Sequence, residues 1–195
     1  MAPHSTLWKM ALLALAATAL APCGHAATEQ YTLDPAHTSV SFEVRNFGIS
    51  SQRGTFNGAS GTVSLDAQAG SGQIEILIDA RTLQTTNDRL AAFLRGKDLL
   101  NVERYPEIAY KAQRVVFLNG EPGRIEGELT LLGITKSVSL NVSGYRCTQA
   151  TDVARQRCTM DAVATFKRSE FGMTRYMTVT SDEVKLAIQT EGVSD

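Results

Sequence analysis

Residues 38–45 read T-S-V-S-F-E-V-R, with Val40, Phe42 and Val44 at every second position and polar residues between them. Successive side chains of an extended strand point to opposite faces, so this run has one apolar face and one wet face. The same period of two recurs at residues 61–65 (Val63, Leu65), 73–79 (Ile74, Ile76, Ile78), 137–145 (Val138, Leu140, Val142) and 183–191 (Val184, Leu186, Ile188). Weaker versions at residues 31–33, 107–112, 114–118, 124–131 and 159–166 bring the count to about eight to ten strands. The segments between them carry turn chemistry: Gly48, two glycines in residues 66–72, N-G-E-P-G at 119–123, and Gly133 to Lys136. Short turns make neighbouring strands antiparallel.

One segment breaks the rhythm. Residues 86–97, T-N-D-R-L-A-A-F-L-R-G-K, place Leu90, Phe93 and Leu94 at helical spacing, with Thr86 or Asn87 available as N-cap and Gly96 near the end. Many one-sided antiparallel strands with a single short amphipathic helix leave two all-β architectures, a two-sheet sandwich or a closed barrel. A sandwich fills its interior with its own side chains, whereas an eight-stranded barrel has room for one small ligand. Alternation alone does not choose between them.

The N-terminus sets the compartment. Residues 1–9 carry His4 and Lys9 and no acid, and residues 10–21 are apolar apart from Thr18. That run is well short of the roughly 20 residues that span a bilayer, and small residues follow it, which is the form of a removable secretory signal. Cleavage after Ala26 makes residues 1–26 the signal and residues 27–195 one domain, expected in the periplasm. Leu20-Ala21-Pro22-Cys23 also has the outline of a lipobox that would tether the chain at Cys23, but proline is a poor residue before the cleaved bond. Losing Lys9 changes the balance from 19 basic and 20 acidic residues to 18 and 20, a charge with no attraction for nucleic acid. The remaining cysteines, Cys147 and Cys158, are expected to form one structural disulfide in an oxidising compartment.

The chain carries no recognisable catalytic motif. After the signal the chain keeps one histidine, His37, so any nucleophilic triad or zinc site would have to use it. No G-x-S-x-G, C-x-x-C, H-x-x-x-H, P-loop or G-x-G-x-x-G is present, so no catalytic residue, metal or cofactor is expected. His37 follows Asp34-Pro35 and reads first as a turn-closing imidazole; its second reading is a head-group contact at a barrel rim. Asp34, Asp79, Asp88 and Asp98 are spread over turns and strand ends, as caps and ion-pair partners are. Residues 168–173, R-S-E-F-G-M, read as a strand end and turn with a surface ion pair, with Arg168 a second candidate for a head group.

The punctuation of the chain is more specific than any single run. Y-x-L-D-x-x-H-T-x-V-x-F-x-V from Tyr31 to Val44, F-G-I-S-x-x-x-G-x-F from Phe47 to Phe56, and V-E-R-Y-P from Val102 to Pro106 occur in order. They are followed by G-x-L-T-x-x-G-x-T-x-x-V-x-L from Gly127 to Leu140 and by R-S-E-F-G-M. Together these resemble the YceI-like family of bacterial polyisoprenoid-binding proteins over essentially the whole chain after the signal. The resemblance implies an extended, lipocalin-like, eight-stranded antiparallel barrel whose lumen holds a polyisoprenoid or similar amphiphile, with no established catalytic centre. The chain departs from many members by carrying Asn46 and Phe93 where they carry histidines.

On that reading the lipid-facing residues are Phe42, Val44, Phe56, Ile74, Ile76, Ile78, Leu90, Phe93, Leu94, Leu129, Leu140 and Leu186. The expected function is binding, sequestration or transport of a long-chain lipid. Two other classes compete: a scaffold that binds a protein partner in envelope stress response or adhesion, which needs an exposed apolar patch, and an isoprenoid- or quinone-modifying enzyme, which needs His37. Neither the ligand's length nor the oligomeric state, a homodimer included, is fixed by the sequence.

Overall fold

The computed structural model describes residues 28–149 and 155–195. The signal expected at residues 1–26 and Cys23 lie outside the described residues. The elements in chain order are β1 (Glu29–Leu33), β2 (Ser39–Asn46), β3 (Ser50–Asn57), β4 (Ser60–Asp66), β5 (Ser71–Asp79), β6 (Gln84–Thr85), α1 (Asp88–Arg95), β7 (Glu107–Leu118), β8 (Glu121–Leu131), β9 (Ile134–Gln149), β10 (Gln156–Lys167) and β11 (Thr180–Ser194).

The strands pair antiparallel in the order β1-β4-β5-β7-β8-β9-β10-β11, and β1 also pairs with β11, so eight strands close into a barrel. Closure removes every free sheet edge from the ring. On its edge away from β10, the long β11 serves two neighbours: Gly192 to Ser194 pair with β1, while Val184 to Gln189 pair with β2. Thus β1 and β2 are successive pieces of one barrel wall, interrupted at residues 34–38, and β3 and β4 are likewise successive pieces of the next wall. At the β2–β3 end, β3 pairs on its far side only with the two-residue β6, leaving room between β3 and β5 for the segment that carries α1.

Inner faces follow the expected parity. Val40, Phe56, Ile74, Ile76, Ile78, Val138, Leu140, Val184 and Ile188 are all buried. Two of the weak runs turn out to be one strand: a register shift between Ala112 and Arg114 lets β7 keep Ile108, Tyr110 and Ala112, then Val115, on the inside. A corresponding shift opposite Asp161/Ala162 lets β9 run on to Gln149, well past the expected residue 145. β3 had no apolar alternation to announce it, because its inward positions are Gln52, Gly54 and Phe56. Gly54 is needed for close approach, since a Cβ there would sit 2.6 Å from the Phe42 ring and 2.9 Å from Leu83.

The helix is shorter than the window that predicted it, Asp88–Arg95. Asn87 is its N-cap, accepting from the Leu90 amide at 2.9 Å, and Asp88 in the first turn and Arg95 in the last complement the helix dipole. Cys147 and Cys158 are bonded directly across the β9–β10 pair, with Cα atoms 4.1 Å apart.

The R-S-E-F-G-M segment differs from its expectation. It forms a 3-10 turn, Arg168–Phe171, closed by Gly172 in the left-handed conformation (φ 82°), with Phe171 wholly buried and its ring edge-on to Phe166 at 5.2 Å. Arg168 is buried as well, at 4% exposure, and among the described residues it makes no ion pair. The expected surface pair is replaced by backbone bonding because the turn directs the guanidinium inward.

Candidate functional site

The two ends of the barrel are filled differently. At the end bearing the β4–β5 and β7–β8 turns, Tyr31, Leu65 and Val115 are buried among one another's neighbours and line no cavity. The Tyr31 hydroxyl lies 2.8 Å from both Glu29 Oε2 and Gln156 Oε1, either of which can accept its one proton, so this end is plugged. Burial and the Glu29 carboxylate push the Tyr31 phenol well above its usual pKa, so at neutral pH it stays a proton donor. Val63, Leu65 and Val142, inward-facing by parity, belong to this plugged half rather than to the cavity wall.

The opposite half is hollow. A cavity of about 320 Å³ lies between β2, β5, β7, β8, β9, β10 and β11, opening where α1 and residues 173–180 meet. This volume is within the range of roughly 300–1,000 Å³ typical of small-molecule sites. Its wall is almost entirely hydrocarbon. All twelve residues expected to face lipid line it: Phe42, Val44, Phe56, Ile74, Ile76, Ile78, Leu90, Phe93, Leu94, Leu129, Leu140 and Leu186. Leu99, Leu100, Ile108, Ile125, Met160, Met173 and Val179 join them.

Tyr110 projects into the middle of the barrel, where its hydroxyl donates to the Val138 carbonyl at 2.9 Å. Burial pushes this phenol far above its ordinary pKa as well. Gly127 makes room for it, since a Cβ there would lie 2.6 Å from the ring. Apart from Tyr110 and Tyr176, the polar side chains of the wall are Asn46, Gln52, Arg168, Arg175 and Thr180, gathered at the mouth.

Arg168 is the buried charge of this rim. Its Nε donates to Ser181 O at 2.9 Å, Nη1 to Met173 O and Arg175 O at 2.8 Å each, and Nη2 to Thr180 O at 3.3 Å. These bonds occupy four of five N–H donors and replace lost hydration, the condition for burying a charge. Burial draws the guanidinium below its ordinary value, yet arginine starts so far above neutrality that it remains a cation. Arg168 thus organises residues 173–181 into the wall of the mouth while keeping positive charge beside the cavity.

The mouth is spanned by two contacts between the α1 segment and residues 173–180. The Phe93 and Tyr176 rings meet at 5.4 Å, and Arg175 lies 3.6 Å from Asp98. Both are solvent-exposed contacts, each worth at most about 1 kcal/mol. Asp98 therefore does what its isolated position suggested, as do Asp79, which grips Arg81 and caps the 3-10 turn Ala80–Thr82, and Asp34, which bonds the Ala36 amide.

His37 stands away from the cavity. It is exposed, with Nδ1 2.8 Å from Asp34 Oδ2 and 3.7 Å from Glu191 Oε1, and it lines no part of the hollow half. This is the turn-closing role. Asp34, His37 and Glu191 place ligand-type atoms within 4.8 Å of one another, but the Arg157 guanidinium already sits on Glu191, a cation where a metal would have to compete.

Comparison with known proteins agrees with this geometry. Residues 31–192 match the model of the YceI-like domain. The chain belongs to the YceI-like family. Curated relatives include a UPF0312 protein of Yersinia pestis (strain Pestoides F), 29% identical with 97% of each chain covered. Another, from Pectobacterium carotovorum, is 30% identical, covering 95% of this chain and 97% of the relative. Among solved structures, Burkholderia cenocepacia BcnA superposes with a TM-score of 0.64 at 23% identity, covering 82% of this chain and 98% of that one. A polyisoprenoid binding domain from Saccharophagus degradans superposes with a TM-score of 0.61 at 18% identity, covering 85% and 98%. At these identities the structural neighbours share the fold.

Positions 46 and 93 both fall at the mouth: Asn46 lines the rim, and Phe93 supplies a ring to the contact with Tyr176.

Proposed function

We propose that the barrel binds a polyisoprenoid or another long-chain amphiphile, chain inward and head at the mouth, and sequesters or carries it in the periplasm without chemically altering it. The observation that carries this reading is the half-hollow interior: one end plugged by Tyr31, Leu65 and Val115, the other open and walled by hydrocarbon. Each methylene transferred from water to such a wall contributes about 0.8 kcal/mol, so a five-carbon isoprene unit brings roughly 3–4 kcal/mol before the costs of association. A small number of units therefore suffices for tight binding. Arg168 and Arg175 at the rim supply positive charge for an anionic head group, whereas His37, outside the cavity, is no part of it.

The periplasmic setting rests on the leader at residues 1–26 and is supported by the Cys147–Cys158 bond, which suits an oxidising compartment. Release of the leader after Ala26 leaves the barrel free, and acylation at Cys23 would tether it. The absence of an acid–base or nucleophilic constellation at the cavity wall, among the described residues, favours a carrier over an enzyme.

The test is extraction of protein purified from its native cells, followed by mass spectrometry of the extract and of the protein's N-terminus. A prenyl or acyl lipid in near-stoichiometric amount and an N-terminus at Ala27 are expected. Protein that yields no lipid and fails to take up dansyl-labelled undecanoic acid would sink the carrier reading.

A further inference from the structure

The cavity mouth is surrounded by exposed apolar side chains, of which Phe93 and Tyr176 already pack on each other. Among the described residues nine large hydrophobic side chains are exposed, and six of them, Phe47, Ile49, Phe93, Ile134, Tyr176 and Met177, sit at the mouth end. The two most exposed are on the β2–β3 turn, Phe47 at 72% and Ile49 at 93%. This turn stands beside residues 173–180, since the Phe47 amide donates to Val179 O at 2.8 Å.

Phe47 is there at a conformational cost. Its φ is +49° and the following Gly48 has φ +68°. A bulky aromatic residue is uncommon in the left-handed region, where asparagine or glycine would build the same turn with less strain. Tyr176 repeats the pattern at φ +61° in the segment beside that turn. Two exposed aromatics held at left-handed positions around one opening are explained neither by turn geometry nor by packing of the core.

We propose that this end of the barrel docks on a phospholipid bilayer, with Phe47 and Ile49 inserted at the interface. Three features single out a bilayer as the occupant. First, the tip is small: Phe47, Ile49, Tyr176 and Met177 offer at most about 200 Å² each when fully exposed, and none is. Their joint surface is short of the about 800 Å² per partner of a stable protein interface, whereas a bilayer accepts side chains singly. Second, the turn's amides at Phe47 and Ile49 are bonded, to Val179 O and Asn46 O, so entry into an apolar medium strands neither group. Third, cations surround the tip. Arg45, Arg89 and Lys97 are exposed and make no ion pair among the described residues, and Arg175 has only its exposed contact with Asp98. Against them stand Asp88, Asp98, Glu170, Asp182 and Glu183, but Arg95, Lys167 and the buried Arg168 lie at the same end, so a cationic excess remains that complements an anionic lipid surface. Docking in this orientation would press the cavity mouth against the membrane, so that a lipid chain need not cross water to enter or leave.

The experiment is vesicle flotation, using protein recovered from expressing bacteria in the form the cell leaves it. The vesicles are phosphatidylcholine alone or mixed with phosphatidylglycerol, and dansyl-labelled undecanoic acid reports cavity binding separately. The wild type should float with the anionic vesicles, and the bound fraction should fall as salt is raised. Phe47→Asn with Ile49→Ser should lower flotation at least about tenfold while melting does not fall and probe uptake stays unchanged; asparagine keeps the left-handed turn. Arg45→Glu should weaken flotation on anionic but not on neutral vesicles. The proposal is overturned if the wild type does not float, if the double variant floats equally well, or if the wild type sediments as a dimer that the double variant dissolves, which would give the tip to a second copy. Failure of both proteins to take up the probe while flotation persists would instead defeat the carrier reading and leave the docking surface standing.

Discussion

The plugged and hollow halves of this barrel are built from the same alternating strands, yet one is a core and the other a container. β5 and β7 run through both. Ile74, Ile76 and Ile78 of β5 face the cavity, whereas Gly72 of the same strand packs so closely on Val115 and Leu65 that a Cβ would lie 2.7 and 3.1 Å from them. The plugged half draws its walls together over a glycine and fills the centre with Leu65, Val115 and the hydrogen-bonded Tyr31. The hollow half places isoleucines and leucines all round and holds its walls apart with β6, α1 and residues 173–180. Strand pattern decides which side chains face inward; the end structures decide whether they meet.

The largest expected difference between the halves is in what a truncation costs. Leu65→Ala removes side-chain contacts within a filled layer and leaves a void, for which about 3–4 kcal/mol of stability is the usual loss. Leu140, just as well buried from solvent, lines the cavity. One side of its side chain already lacks packing partners, so Leu140→Ala in lipid-free protein should cost about 2 kcal/mol or less. Urea unfolding midpoints at unchanged slope measure both. Equal costs would mean that the hollow half is packed after all.

The disulfide sharpens the same contrast at a smaller scale. Cys147 and Cys158 are 11 residues apart and lie toward the plugged end, with Cys158 buried. In the chain-entropy account a loop of this size contributes about 2–3 kcal/mol. Replacing both cysteines by serine should therefore lower the unfolding free energy by that amount and leave dansyl-labelled undecanoic acid binding intact. Loss of binding in the folded variant would show that the plugged end controls the container.

How much of this was legible in the sequence follows from what period-two alternation encodes. It reports a face, so the twelve residues expected to meet lipid all line the cavity. It does not report depth along the barrel, so Val63, Leu65 and Val142 satisfy the same parity and lie in the plugged half. β3 escaped because Gln52 and Gly54 occupy its inward positions, one polar at the mouth and one small beneath the Phe42 ring. The mouth itself was least legible. Tyr176, Arg175, Leu99 and Leu100 sit on irregular segments whose placement depends on Arg168, and nothing local to R-S-E-F-G-M shows that its arginine turns inward to four carbonyls. His37 gave both its candidate roles from one tripeptide context, and only the distance from the cavity separates them.

The smallest predicted effect lies at the seam between the halves, where residues 34–38 interrupt the wall formed by β1 and β2. The hydrogen bond that His37 donates to Asp34, helped by the charge of Glu191, raises the pKa of His37 above its ordinary value, and the same bond lowers that of Asp34. A raised histidine pKa gives stability that is complete below the unfolded value of about 6.5 and is lost as pH climbs through the folded value. A lowered aspartate pKa gives stability that is present above the unfolded value of about 3.9 and is lost as pH falls through the folded one. The pair should therefore hold the seam best between those two limits, on the acidic side of neutrality. Because His37 is exposed and Asp34 only half-buried, the contribution is small and its clearest reading is the titration itself. NMR of the His37 ring should show a midpoint above that of a free histidine, and Asp34→Asn should bring it down toward the ordinary value while leaving cavity binding unchanged. A midpoint that ignores Asp34→Asn would mean that the imidazole is not holding the seam.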